Sequence, residues 1–176
     1  KKKNVIIYTL FLGNVEIIGG DDQKEPGYLA NYDPICITGN LKNNVRETRI
    51  NEFKNWNPDK EEEGKVLVAT VSSIAEAVSL HKNIREETVC QHVIYLERNY
   101  NAGQFMQSKY RVYRIGSDKR KPIRYYFLKS IYQDRRPTID LDVHNRVAHR
   151  EKLMHKLLED PMNLVEMEVE DHQEIG

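Results

Sequence analysis

Only two cysteines occur in 176 residues, Cys36 and Cys90, in unrelated contexts and with no C-x-x-C or paired histidine spacing. That excludes a zinc module and a disulfide framework and points to a reduced, cytoplasmic setting. No apolar run approaches the ~18 residues of a membrane span, and no signal-peptide pattern is present. The phosphate-cradling pattern Gly-x4-Gly-Lys-Ser/Thr is missing as well: the sole Gly-Lys, Gly64-Lys65, precedes Val66 and a strand-like run. With no Asp-Glu-x-His or similar acidic strand end to hold Mg²⁺, the chain alone is expected not to hydrolyse ATP. Gly-x-Ser-x-Gly is absent and neither cysteine has an evident base, so nucleophilic hydrolysis has no support. Net charge is zero, with 27 Lys+Arg against 27 Asp+Glu, so any nucleic-acid contact must come from a local patch.

Charge is nevertheless uneven. Residues 109–124 hold seven basic side chains against Asp118, whereas residues 157–176 hold seven acids and no Lys or Arg. The length suits one well-buried domain with an appended element. The chain opens on Lys1 rather than methionine and is read as a piece of a larger protein.

Five short apolar, β-rich runs mark strands: Val5 to Thr9, Pro34 to Thr38, Val66 to Thr70, His92 to Leu96 and Arg124 to Leu128. Helical patterns lie between them, over Phe11 to Ile18 with Gly19-Gly20 as the stop, and over Asn44 to Asn55 on a Val45, Ile50, Phe53 stripe. Residues 21–33 read as a surface loop, and Trp56 as a packing residue before a charged connection. Strands alternating with helices argue a parallel α/β sheet. Thr138 caps a last helix of about 20 residues on an Ile139, Val143, Val147, Met154, Leu158 stripe, broken at Pro161. The expected division is an α/β lobe over 1–132, a C-terminal helical element over 133–160, and an acidic tail over 161–176 that lacks strong periodicity and reads as frayed.

Ligands of open parallel sheets sit at the carboxyl ends of strands. Two candidates lie there: Gly39 with Arg46 seven residues on, and Thr70-Val71-Ser72-Ser73, whose hydroxyls suit a phosphate. A third is Gln107-Ser108-Lys109-Tyr110-Arg111-Val112-Tyr113-Arg114-Ile115-Gly116. On a helix stopped at Gly116, Arg111 and Arg114 share a face and present two guanidinium forks to one anion. The scattered histidines are read otherwise: His144, His149 and His155 as exposed or partly packed, His81 as packing or bonding within its loop.

These segments together resemble the second lobe of superfamily-two helicases of the Swi/Snf type. Gln-Ser-x-x-Arg-x-x-Arg-Ile-Gly resembles the last helicase motif of that family. Gly39 with Arg46 and Phe53 is similar to its Gly-x6-Arg segment, and residues 70–80 to its fifth motif, with Ile74, Ala75 and Ala77 where glycines are usual. Tyr100-Asn101-Ala102-Gly103-Gln104 stands where the family has Trp-Asn-Pro-Gln, and Tyr110 where it has an acid before the first arginine. Residues 4–160 are covered.

The resemblance implies a RecA-like α/β lobe without its own P-loop. Arg111 and Arg114 would be catalytic arginine fingers toward ATP and Mg²⁺ held mainly on an N-terminal lobe absent here, with Gln107, Glu76 and Asn101 near the nucleotide. Gly39, Arg46, Thr70, Ser72 and Ser73 would grip the DNA backbone. Partners would be that lobe and double-stranded DNA, with no membrane, no metal site of its own, and a monomeric isolated fragment. The alternative is a non-catalytic α/β module that binds nucleic acid or protein.

Overall fold

The computed structural model describes residues 3–20, 26–57, 64–75, 79–83, 85–113, 122–133 and 136–157. Five strands, β1 (Val5–Thr9), β2 (Ile35–Ile37), β3 (Val66–Thr70), β4 (His92–Tyr95) and β5 (Arg124–Phe127), form one sheet in the order β2-β3-β1-β4-β5. Every pairing is parallel, with Val5 opposite both Val66 and His92. Runs such as Ile6-Ile7-Tyr8 and Leu67-Val68-Ala69 are buried throughout because helices cover both faces of the central strands.

The helices α1 (Leu12–Gly19), α2 (Asn43–Lys54), α3 (Val71–Ala75), α4 (Ala102–Val112) and α5 (Ile139–Leu157) are divided unequally between the faces. Val15 of α1 joins Ile7 and Val68 in a small cluster. The larger core, with Ile6, Tyr8, Leu67, Val93 and Tyr95, takes Ile50 and Phe53 from α2, Ile74 from α3, Phe105 and Val112 from α4, and Val143 and Val147 from α5. The expected C-terminal helix thus packs its valines into the lobe's own core. At its start, Thr138 Oγ1 accepts from Leu141 N and donates to Ser130 O at 2.7 Å, which ties helix entry to the end of β5.

The elements expected from sequence are present with shifted ends, and three details differ. The segment after α1 is not loop throughout, since Ala30–Tyr32 forms a 3-10 turn. Val45 and Ile139 do not face the core: Ile139 is 68% exposed, and on α2 the buried position beside Ile50 and Phe53 is Arg46. The helix expected to run to Gly116 ends at Val112, where Tyr113 turns extended at φ −111° and ψ 127°. Tyr113 packs against the core there, and Leu80 N takes the Arg111 carbonyl at 2.7 Å, so tertiary contacts replace the next turn of helix. Leu158, Gly116 and the acidic tail lie outside the described residues.

Two glycines are dictated by geometry. Gly20 caps α1 at φ 90°, a conformation costly for residues with a Cβ. At Gly64 a Cβ would stand 2.0 Å from the backbone oxygen of Lys3, so only glycine lets the approach to β3 pass beside β1. Trp56 is buried, as expected of a packing residue. No described helix is long and apolar enough to cross a membrane.

Candidate functional site

The carboxyl ends of β1, β2, β3 and β4 lie together on one rim of the sheet, and most of the sequence-derived candidates gather on it. Gly39 is exposed in the turn after β2, and a Cβ there would meet nothing within 4 Å. Arg46 is not on the helix surface: at 9% exposure it reaches back from α2, and its Nη2 donates to Gly39 O at 3.2 Å. The Gly-x6-Arg spacing therefore closes a turn against the helix that follows.

The hydroxyl cluster after β3 divides in the same manner. Ser73 is buried, and its Oγ bonds Thr70 O at 2.8 Å and Ile37 O at 3.1 Å, joining the ends of β3 and β2. Buried Thr70 accepts at its Oγ1 from Ser73 N and Ser72 Oγ, both at 3.4 Å. Ser72 alone of the three is exposed. Glu76 lies outside the described residues.

Asn101 is exposed and caps α4, accepting from Gln104 N at 3.0 Å. Gln107 points outward from the middle of the helix. Arg111 is half-buried in the last turn, about 15 Å along the axis from Asn101 at 1.5 Å per residue. Arg114 lies outside the described residues. α4 itself ends at Val112, short of the stop expected at Gly116. Ser108, within the same motif, is buried and exchanges a 2.7 Å hydrogen bond with the Tyr95 hydroxyl, so the motif's serine fastens α4 to β4.

Three charged residues that the sequence reading passed over organise this region. Glu97, just past β4, accepts from Thr9 Oγ1 at 2.8 Å, from Leu10 N at 3.0 Å and from Asn14 Nδ2. One carboxylate thereby joins the ends of β1 and β4 to the first turn of α1. Next to it, the Arg98 guanidinium stands between the Phe105 and Phe127 rings at 4.1 and 4.5 Å, with Nη1 2.8 Å from His144 Nδ1 on α5. Burial pushes this guanidinium down to about 10, and its Nε and Nη2 have no hydrogen-bond partner among the described residues. The third is Glu151, buried on α5 and paired with Lys109 of α4. Both Glu97 and Arg98 follow a strand's carboxyl end, which is the positional signal that marks them. For Glu151 the signal is its place on the Val143, Val147 stripe. Glu97, Arg98, Leu10, Val71, Gln104 and Phe105 line a narrow crevice at this rim. His81 bonds Ser79 Oγ at 3.0 Å within its loop.

Among the described residues no group of three or more His, Cys, Asp or Glu side chains is placed to hold a metal ion.

His144 makes the α5 contact pH-dependent. Burial first, then nearby Lys129 and Arg98, push its imidazole down to about 4 from an ordinary 6.5. Between those values the unfolded chain binds the proton and the fold does not. This group therefore costs stability progressively as pH falls from about 6.5 to about 4, and has no effect above 6.5. Carboxylates titrate in the same window, so the readout is a difference: His144→Gln should flatten the fall in urea midpoint between pH 6.5 and 4.5 relative to the unsubstituted chain.

No family model matches the chain, and no curated protein matches it. Among solved structures, the C-terminal part of the Fun30 ATPase domain aligns with a TM-score of 0.54 at 16% identity, over 88% of this chain and 48% of that one. The SWI2/SNF2 ATPase core domain of Sulfolobus solfataricus aligns with a TM-score of 0.48 at 20% identity, over 92% of this chain and 27% of that one. The chain thus spans about half of the first protein's length and about a quarter of the second's. At such identities the likeness is one of fold. A parallel five-stranded sheet flanked by helices and closed by α5 is the RecA-like α/β architecture, shared with the C-terminal part of an ATPase domain.

Proposed function

We propose that this chain is the C-terminal motor lobe of an ATP-driven DNA helicase or translocase of the Swi/Snf type. Arg111 and Arg114 supply guanidinium groups to the phosphates of ATP bound on an N-terminal lobe of the same polypeptide, with Gln107, Asn101 and Glu76 on the nucleotide side. The observation that carries the reading is the match to the C-terminal part of the Fun30 ATPase domain, which takes in 88% of this chain and leaves the other half of that one unmatched. Such a lobe contributes to a shared site rather than containing one, in keeping with the missing P-loop.

The rim supports a division of labour in gripping nucleic acid. Exposed Ser72 and the open Gly39 turn meet the phosphate backbone, while Arg46, Thr70 and Ser73 hold those two turns in place from beneath. Contacts of this kind position a duplex without reading its sequence. ATP hydrolysis changes the separation of the lobes and moves this grip along the DNA.

The test is ATP turnover, with and without double-stranded DNA, on the 176-residue chain beside the two-lobed protein that contains it. The expected result is an inert chain and a DNA-stimulated parent. Turnover by the chain alone, or a parent inert with every nucleic acid offered, would overturn the assignment in favour of a binding module.

A further inference from the structure

The two faces of the sheet are covered unequally beside β5. Tyr125 and Phe127 pack on the side that carries α4 and α5. Side chains alternate along a strand, so Arg124, Tyr126 and Leu128 turn to the side that carries α1. There Val15 of α1 packs with Ile7 and Val68 of β1 and β3, and Ile94 and Leu96 fringe that cluster half-buried. Beyond them β5 has no cover among the described residues: Arg124 is exposed, Tyr126 is 41% exposed and Leu128 56%.

The strip so exposed is aromatic and cationic. In the parallel register His92 lies opposite Arg124, and Ile94 opposite Tyr126. Tyr126 leans across to His92, its hydroxyl 2.9 Å from Nδ1. The two rings are within 15° of parallel, and with centroids 5.9 Å apart they are displaced sideways rather than fully overlapped. Together they make a flat surface wider than either ring. Lys3 and Arg124 both stand near enough to lower the His92 pKa, after burial as the larger cause. Among the described residues neither cation is paired with a carboxylate. No Asp or Glu occupies His92, Ile94, Leu96, Arg124, Tyr126 or Leu128, the positions of the strip.

We propose that this strip binds single-stranded DNA, with bases stacked on Tyr126 and His92 and phosphates met by Arg124 and Lys3. Unpaired cations complement a phosphate backbone, and flat rings on adjacent strands accept any base, since every base has a π-face. A duplex keeps its bases stacked on one another and has none to offer. The Tyr126 hydroxyl is already engaged with His92 and does not read a 2′-hydroxyl, so nothing on the strip favours RNA. From Arg124 to Leu128 the strand covers about 13 Å, a length of roughly two to four nucleotides. The strip lies on the face of the sheet rather than at the carboxyl rim. It uses neither Arg111 nor Arg114, and it does not rest on the motor reading.

Fluorescence anisotropy of a short labelled oligothymidylate, titrated with the full 176-residue chain without ATP, tests this. Tyr126→Ala should weaken binding roughly 5- to 100-fold. Tyr126→Phe, which keeps the ring, should retain most of the affinity, and so should Tyr28→Ala, which removes a tyrosine 85% exposed elsewhere on the surface. Arg124→Ala should lower the slope of log affinity against log salt by about 0.7. With 5-iodouracil in the oligonucleotide, photocrosslinks on the unsubstituted chain should map to Tyr126 or His92. No binding, equal affinity in Tyr126→Ala, or crosslinks confined to the carboxyl rim overturns the proposal. So does a preference for RNA of the same length by roughly tenfold or more. Self-association of the unsubstituted chain that Tyr126→Ala abolishes also overturns it, by placing a second copy on the strip. None of these outcomes bears on the ATP-turnover test.

Discussion

Replacing Arg114 with alanine in the two-lobed protein is expected to lower DNA-stimulated ATP turnover by roughly 10³- to 10⁵-fold, a loss of about 4 to 7 kcal/mol. A guanidinium aimed at the transferring phosphoryl group meets charge that develops in the transition state. Its removal therefore lowers kcat far more than it weakens ATP binding. Arg111→Ala should behave similarly, and lysine at either position should restore little, because a point charge lacks the planar two-pronged donor set. The measurement is steady-state turnover beside equilibrium binding of a non-hydrolysable ATP analogue. Unchanged turnover in Arg114→Ala would sink the arginine assignment while leaving the fold untouched.

The second large effect is on stability. Lys109 donates to a carboxylate, Glu151, that is only 3% exposed, and its ammonium also stands 5.4 Å from the Phe105 ring and 5.2 Å from Tyr125. Lys109→Met keeps most of the aliphatic stem and removes the carboxylate's ammonium partner, leaving it His155 Nε2 at 3.8 Å, for an expected loss of about 3–5 kcal/mol. At this chain length that lowers the melting temperature by roughly 6–20 °C. Lys109→Met/Glu151→Leu should recover most of the loss, since a well-packed apolar pair commonly matches a buried ion pair. A double variant no more stable than the single one would show that Lys109 acts through its rings rather than through Glu151. Because Lys109 lies two residues before Arg111, this pair also steadies the turn that carries the proposed catalytic side chain.

The strands were legible because burial on both faces needs unbroken apolar runs, and Val5 to Thr9 and Val66 to Thr70 satisfy that locally. The Thr138 cap and the Val143, Val147 stripe were legible for the same reason. What escaped was decided by partners far along the chain. Glu97 meets Asn14 and Thr9 across 83 and 88 residues, and no short window contains both ends of such a bond. Arg46 was read as a contact to the DNA backbone, and its reach back to the carbonyl of Gly39 shows only once the turn after β2 is folded against α2. α4 ended one turn before its expected stop because Leu80 claims the carbonyl of Arg111, a contact between elements that are separate in sequence. Of the candidate site, the rim position followed from strand topology, whereas the committed hydroxyls of Thr70 and Ser73 could be told from the exposed Ser72 only once β2 lay beside them.

The placement of β1 has a consequence for how the protein is made. It is made before the other four strands of this sheet and ends in the middle of it, where Val5 pairs with both Val66 and His92. At a synthesis rate of 5–20 residues per second, the hydrophobic run Val5 to Thr9 spends roughly 5 to 15 s without its second neighbour. During that interval its two unpaired sides are a surface for chaperones or for another nascent chain. Slowing translation before His92 should therefore reduce soluble yield more than the same pause placed after Phe127.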